Sequence, residues 1–159
     1  MADLTVTITE SVILNNADQG GSHTLTVSGI TEIFKRIVAV PVSGSGRITL
    51  IESTGDEISI VGSGRLIETT VEYCRITNLG STTLNLQIAR DDDSDVTDDE
   101  VAWFVLEAGK SFMVHKWDAG FSANAGDEDA FSGDSITNIR VINADGSTEG
   151  SLEFIVAST

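Results

Sequence analysis

The stretch TTLNLQIA, residues 82–89, decides the fold class because apolar and polar side chains alternate along it. Leu84, Leu86 and Ile88 fall on one side of an extended chain, and Asn85 and Gln87 fall on the other. A period of two is the side-chain repeat of a β-strand with one buried face. The stretch therefore predicts a strand that covers a hydrophobic core with three aliphatic side chains.

The same alternation appears on both sides of this stretch, in LTVTIT at residues 4–9 and in HTLTV at residues 23–27. The segment EIFKRIVAV is rich in β-branched residues and stops at Pro41, which favours a strand over a helix. Glycine-bearing turns separate the segments, and short strands joined by such turns are typical of an antiparallel sandwich or barrel. The strand in EIFKRIVAV is predicted at residues 33–42, and further strands are predicted at residues 11–14, 47–52, 57–61, 68–77, 101–106, 111–115, 136–142 and 151–157.

The chain is interpreted as a single domain spanning residues 1–159. Its length permits a real core, and with one proline it has no proline-rich linker. Residues 1–10 are polar enough to serve as an N-terminal arm or an edge strand. The segments GSGRI at Gly44 and GSGRL at Gly62 are interpreted as two similar turns that lead into strands, and not as a structural repeat.

The single cysteine, Cys74, excludes an internal disulfide framework and favours assembly in a reducing cytoplasm. No apolar run approaches the roughly 20 residues of a membrane helix. The first ten residues, MADLTVTITE, lack the basic and apolar regions of a signal peptide, so we expect an unprocessed chain.

The formal net charge of −16 makes nucleic acid and anionic membranes unlikely partners, since an acidic surface repels phosphate groups. The acidic residues are unevenly placed along the chain. No lysine or arginine occurs between Trp117 and Asn138, a segment that contains five carboxylates.

The most acidic segment is RDDDSDVTDDE, residues 90–100, where seven carboxylates follow the arginine. Asp91, Asp93 and Asp95 have the alternating spacing of a calcium loop. The EF-hand pattern fails, because its turn glycine and its bidentate glutamate would fall on Val96 and Ala102. We therefore predict a solvated loop without a metal ion or other cofactor. An irregular calcium site here, or in GDEDAFSGD at residues 126–134, stays open as the alternative.

The sequence predicts no catalytic residue. Glycoside hydrolysis needs a pair of carboxyl groups, one of them in an apolar pocket that raises its pKa. The strand-borne glutamates do not meet this requirement, because alternation turns most of them toward solvent. They are Glu68, Glu72, Glu107 and Glu153.

The other reactive residue types are equally isolated. His23 and His115 are far apart in sequence, each in a strand-like segment, and neither has a ligand partner at metal-binding spacing. Such histidines are usually structural. No GxSxG elbow occurs, and the strand position of Cys74 favours a small buried hydrophobe over a nucleophile.

Aromatic residues gather in the C-terminal half. Trp103 and Phe112 fall in strands and are predicted to lie in the core. Trp117, Phe121 and Phe131 fall in the long segment 116–134, where a loop aromatic either anchors a protein interface or stacks on a sugar. We favour protein contact.

The segments VEYCRITNLGSTTLNLQIA and WFVLEAGKSFMVH, with TVTITESVILNN near the N-terminus, carry a family resemblance. This order of strands and turns resembles the β-sandwich virion proteins of tailed bacteriophages, in particular small proteins of marine phages. The resemblance covers most of the chain, and it implies a jelly-roll-like, antiparallel all-β sandwich without catalytic residues.

The function implied by this resemblance is that of a capsid decoration protein, made in the host cytoplasm and placed on the outer surface of the virion. It would bind the major capsid protein or other virion proteins, and also copies of itself as a homo-oligomer, with a trimer favoured. The alternative is a carbohydrate-binding or receptor-binding module of a phage tail or fibre, with or without calcium.

Overall fold

The computed structural model describes residues 1–44, 46–54, 57–62, 64–67, 70–90, 100–115 and 136–159. These residues form fourteen β-strands and no α-helix. The strands are β1 Ala2–Glu10, β2 Ile13–Leu14, β3 Ala17–Asp18, β4 Gly21–Ile30, β5 Glu32–Val40, β6 Ile48–Thr54, β7 Glu57–Ile60, β8 Gly64–Ile67, β9 Val71–Asn78, β10 Leu84–Arg90, β11 Glu100–Leu106, β12 Ser111–His115, β13 Ile136–Asn143 and β14 Gly150–Ser158.

Eight of these strands form two antiparallel layers. One layer has the strand order β12-β9-β14-β5, and the other has the order β11-β10-β13-β6, extended beyond β6 by the hairpin β7-β8. Most connections between successive strands carry the chain from one layer to the other. Strands that are hydrogen-bonded neighbours in a layer therefore come from distant parts of the sequence. Eight strands that are connected in this order form two Greek keys, and this arrangement is a jelly roll. The predicted antiparallel, jelly-roll-like β-sandwich is confirmed.

The main core lies between the two layers. Leu84, Leu86 and Ile88 face it from β10 and are almost completely buried, as the alternation predicts. Phe154, in the centre of the neighbouring layer, is fully buried and receives the Phe34 ring edge-on at 6.2 Å between ring centroids. Aliphatic side chains from both layers complete the core, among them Val40, Leu50, Ile51, Ile76, Ile139, Val141, Leu152 and Val156.

A two-stranded ribbon, β1 paired with β4, covers part of the outer face of the β12-β9-β14-β5 layer. Val27 and Ile30 of the ribbon pack against Tyr73 and Ala157, and these four residues form a second, smaller core. The layer is therefore buried on both sides where the ribbon crosses it. Burial on two sides explains why the C-terminal part of β14, residues 155–157, is apolar on both of its faces.

Beyond the ends of β1 and β4, the ribbon continues into the short pair β2-β3, and we call residues 11–19 the finger. Its turn places Asn15 and Asn16 at φ values of 53° and 60°, the two positive angles of a type I′ hairpin turn. Gly20 lies where the finger joins the ribbon. A Cβ atom there would approach the Glu10 carbonyl oxygen to 2.1 Å, so only glycine permits this backbone path.

The two GSGR segments begin alike, each with a glycine in a turn ahead of a strand, whereas the serine that follows each glycine lies outside the described residues. Gly44 and Gly62 have the same positive φ of 86°, and the chain then enters β6 and β8 respectively. A positive φ is the reason that glycine occupies both positions.

Two buried asparagines fix the ends of β9 and β13. The Asn78 side-chain amide donates to the carbonyl oxygens of Thr82, at 2.7 Å, and Leu106, at 2.9 Å, while its oxygen accepts from the Gly80 N–H. The Asn143 amide similarly donates to the Thr148 carbonyl at 2.7 Å. Both side chains supply hydrogen bonds to backbone groups of turns, which the sandwich shields from water.

Candidate interaction surfaces

The acidic segment that follows β10 lies mostly outside the described residues, including Asp91, Asp93 and Asp95. The strands on either side of it are hydrogen-bonded neighbours, with residue 90 opposite residue 100. Trp117, Phe121 and Phe131 also lie outside the described residues. The solvated-loop prediction and the calcium alternative both stay predictions.

Within the described ranges, no three side chains of histidine, cysteine, aspartate or glutamate lie together as a metal-binding group. The one described aspartate with a dense set of partners, Asp145, instead organises a turn. Its carboxylate accepts from the Ser147 N–H and hydroxyl and from the Thr148 N–H, and these bonds hold the pKa of Asp145 below its usual range.

Cys74 is buried in the main core, as predicted. Burial raises the pKa of its thiol to about 12, because the thiolate would lose its hydration. The thiol is therefore protonated at neutral pH, and the thiolate that nucleophilic chemistry needs is not formed.

Glu153 lies on the outer face of the β12-β9-β14-β5 layer between two cations. Its carboxylate pairs with the Lys35 ammonium at 2.8 Å and also with the Arg75 guanidinium. The bond from Lys35, followed by that from Arg75, lowers the pKa of Glu153. This environment is opposite to that of a general acid, whose pKa must be raised. Of the other three glutamates, Glu107 is exposed and lies just beyond the end of β11, Glu72 in β9 is half-buried, and Glu68 lies outside the described residues.

The two histidines, interpreted as isolated structural residues, lie on the same surface feature. His23 comes from β4 in the ribbon and His115 from β12, and both are exposed at a cavity of about 380 Å³. We call this cavity the groove. It is lined by Val6, Ile8, His23, Leu25, Tyr73, Met113, Val114 and His115. Sequence reasoning missed it, because only the packing of the ribbon beside β12 brings the histidines together.

The groove is mostly apolar. Tyr73 contributes to its wall and also to the small core beneath the ribbon. Burial raises the pKa of the Tyr73 hydroxyl, and the nearby charge of Arg75 opposes that shift. Among the described residues that line the groove there is no carboxylate, lysine or arginine side chain. Such a site suits an uncharged, apolar occupant.

Strand β11 has an apolar outer surface, which we call the β11 face: Val101, Trp103 and Val105. The three side chains are 39%, 52% and 66% exposed. The prediction that Trp103 lies in the core is wrong. Trp103 pairs with Gln87, whose side of β10 points away from the core, so the tryptophan points outward as well.

Phe112, in contrast, packs against the main core as predicted, and its ring lies 5.0 Å from that of Phe104 between centroids. Among the described strands β11 ends the order of its layer, so it combines an edge position with apolar outer side chains. An exposed apolar edge strand of this kind commonly marks a protein interface.

The finger is the third exposed apolar feature. Val12, Ile13 and Leu14 are 54%, 75% and 60% exposed, although they are consecutive aliphatic residues.

In the described part of the chain no helix is long and apolar enough to cross a membrane. No protein-family model matches the sequence, and no curated protein matches it either.

Proposed function

We propose that this protein is a non-enzymatic structural component of a tailed-phage virion, a decoration protein that binds the outer surface of the capsid and neighbouring copies of itself. The observation that carries the proposal is the β11 face. Val101, Trp103 and Val105 place a continuous apolar row on an edge strand, in a chain whose net charge otherwise favours full hydration.

The fold is compatible with this role, since jelly rolls occur in viral capsid proteins and in lectins. A fold alone does not define a function, and the surfaces therefore carry more weight. The strong negative charge suits the outside of a shell, because it would repel the DNA packaged inside.

The described cavities also agree with a non-enzymatic role. Besides the groove, one cavity lies between the start of β5 and β8, and its lining includes a single carboxylate, Glu32. Another, beside the end of β1, includes only Glu10. Among the described residues that line them, neither cavity has the pair of carboxylate side chains that glycoside hydrolysis uses.

The direct test is mass spectrometry of purified particles from the phage that encodes the chain. We expect the protein in many copies per virion, exposed to protease or antibody on intact particles. Its absence from purified particles would refute the proposal.

A binding test identifies the surface involved. Purified protein is added to particles that lack it, and the bound amount is compared for wild type, Val105→Lys and the exposed-turn control Ser147→Lys. We expect Val105→Lys to lose most of the binding and Ser147→Lys to retain it. Equal binding of both variants would exclude the β11 face as the contact.

One observation favours a second function, sugar binding in a tail or fibre. The Trp103 ring is half exposed on a sheet surface, where an aromatic face can stack on a sugar. Binding to a glycan array that is abolished by Trp103→Ala, while particle binding is unaffected, would support this function over the first. Sensitivity of glycan binding to EDTA would add the calcium dependence.

A further inference from the structure

The finger is an apolar element that its own molecule does not cover. Adjacent residues of a strand point to opposite faces, so Ile13 occupies one face of the finger and Leu14 the other. Neither face is therefore polar, and both side chains are more than half exposed. Such exposure is unfavourable unless another surface buries it.

The finger is also nearly uncharged. Residues 11–17, SVILNNA, contain no ionisable side chain, although the whole chain carries a net charge of −16. Asp18 is the only charged residue of the finger, and its carboxylate accepts the Gly20 N–H. The finger can therefore approach a second acidic molecule without placing carboxylates against carboxylates.

The groove has the complementary properties. It is concave and mostly apolar, and among the described residues that line it the ionisable ones are His23, His115 and the buried Tyr73. A cavity of about 150 Å³ accepts a benzene molecule. The groove, at about 380 Å³, has room for two aliphatic side chains.

The finger does not fill the groove of its own molecule, as its exposure shows. The groove is lined by Val6 and Ile8, while Ile13 lies five residues farther along the ribbon, about 17 Å at the rise of an extended strand. Between the groove and the finger, the hydrogen bonds that pair β1 with β4 fix the direction in which the ribbon runs.

We propose that the finger of one molecule inserts its tip, with the Ile13 and Leu14 side chains, into the groove of a second copy. This inference deepens the proposed function, since it supplies the contact between neighbouring copies. Finger and groove are different surfaces, so the contact is head-to-tail. Such a contact forms a closed ring if the rotation between copies closes, and an open chain if it does not.

The first experiment measures the mass of the purified chain in solution by sedimentation over a range of concentrations. We expect wild type to form oligomers. The finger variant Ile13→Asp/Leu14→Asp and the groove variant Met113→Asp should each be monomeric. Ile37→Asp, which places the same charge on a 66% exposed apolar residue outside the finger, the groove and the β11 face, is the matched control and should associate like wild type.

The second experiment tests the head-to-tail geometry by mixing. The finger variant retains an intact groove, and the groove variant retains an intact finger. We therefore expect the mixture to form a one-to-one dimer and nothing larger. Circular dichroism and melting curves of each variant establish that it is folded.

Three outcomes would overturn the inference: a wild-type chain that stays monomeric at every concentration, variants that associate like wild type, or a mixture that stays monomeric. If the wild type is monomeric and both variants lose binding to particles, the occupant of the groove is a different virion protein. Association of the purified chain and presence in virions are measured separately, so either proposal can fail alone.

Discussion

At the scale of single residues, the most informative polar groups are the two buried asparagines. Asn78 and Asn143 each end a strand, donate to a turn carbonyl oxygen, and accept the N–H two residues ahead. Both occur in turns that the sequence marks by glycine and serine. Their role as buried anchors depends on partners such as the Leu106 carbonyl, 28 residues away.

We expect Asn78→Ala to lower the free energy of unfolding by roughly 2–4 kcal/mol. The substitution leaves the carbonyl oxygens of Thr82 and Leu106 buried without this donor, at about 1–3 kcal/mol for each group. Urea unfolding measures the change. Asn85→Ala, on the outward side of β10, should stay within about 0.5 kcal/mol of wild type. Similar losses for the two variants would contradict the anchoring role.

The lowered pKa of Glu153 predicts how the stability of the folded protein depends on pH. Its pKa is lowered in the folded protein by Lys35 and Arg75, so its ionised form stabilises the fold at pH values above the unfolded pKa of about 4.5. This contribution is lost as the pH falls through the lower, folded pKa. Lys35 is more than half exposed, which limits the effect to about 1 kcal/mol or less.

The measurement compares Glu153→Gln with wild type in urea at several pH values. The difference in unfolding free energy should be constant near neutral pH and should shrink as the pH drops below about 4.5. The exposed-turn variant Glu149→Gln serves as the control. A difference that grows toward acidic pH would show that Glu153 has no lowered pKa in the folded protein.

At the scale of elements, β11 shows why a correct strand prediction can assign the wrong face. The sequence VAWFVL is apolar at both alternating sets of positions, so its pattern does not say which set is buried. The structure decides this through the pairing of Leu106 with Leu84 and of Trp103 with Gln87. Leu106 therefore faces the core and Trp103 faces outward, while Phe104, on the Leu106 side, is still 40% exposed.

This register predicts a large loss of stability for a substitution at one residue of β11 and almost no change for a substitution at its neighbour. Leu106 is 3% exposed, so Leu106→Ala should destabilise the protein by roughly 2–4 kcal/mol through lost burial and a cavity. Val105 is 66% exposed, and Val105→Ala should change stability by about 0.5 kcal/mol or less. Chemical denaturation of both variants checks the result, and equal losses would indicate a different register.

At the scale of the whole molecule, acidic charge is concentrated in segments between strands. We expect Asp91→Asn/Asp92→Asn/Asp93→Asn to leave the melting temperature within a few degrees of wild type, because surface substitutions are usually worth about 0.5 kcal/mol or less each. Melting curves are recorded with and without calcium. A loss of stability that appears only with calcium would establish the ion site left open by the sequence.

The sequence by itself determined the fold class. Period-two alternation in segments such as residues 82–89, separated by glycine turns, is a local property that each strand expresses without knowledge of its neighbours. The burial of Cys74 and the strand at residues 32–40 followed from the same local rules. The same alternation, at residues 4–9 and 23–27, predicted the N-terminal strands β1 and β4.

Only the tertiary structure decided which strands pair and which faces they cover. The groove forms because the ribbon packs beside β12, which brings His23 and His115 together across a separation of more than ninety residues. Trp103 is exposed because the pairing of β11 with β10 turns its side chain to the outward face of the layer. These features depend on contacts between distant segments, and a pattern that repeats every two residues contains no information about them.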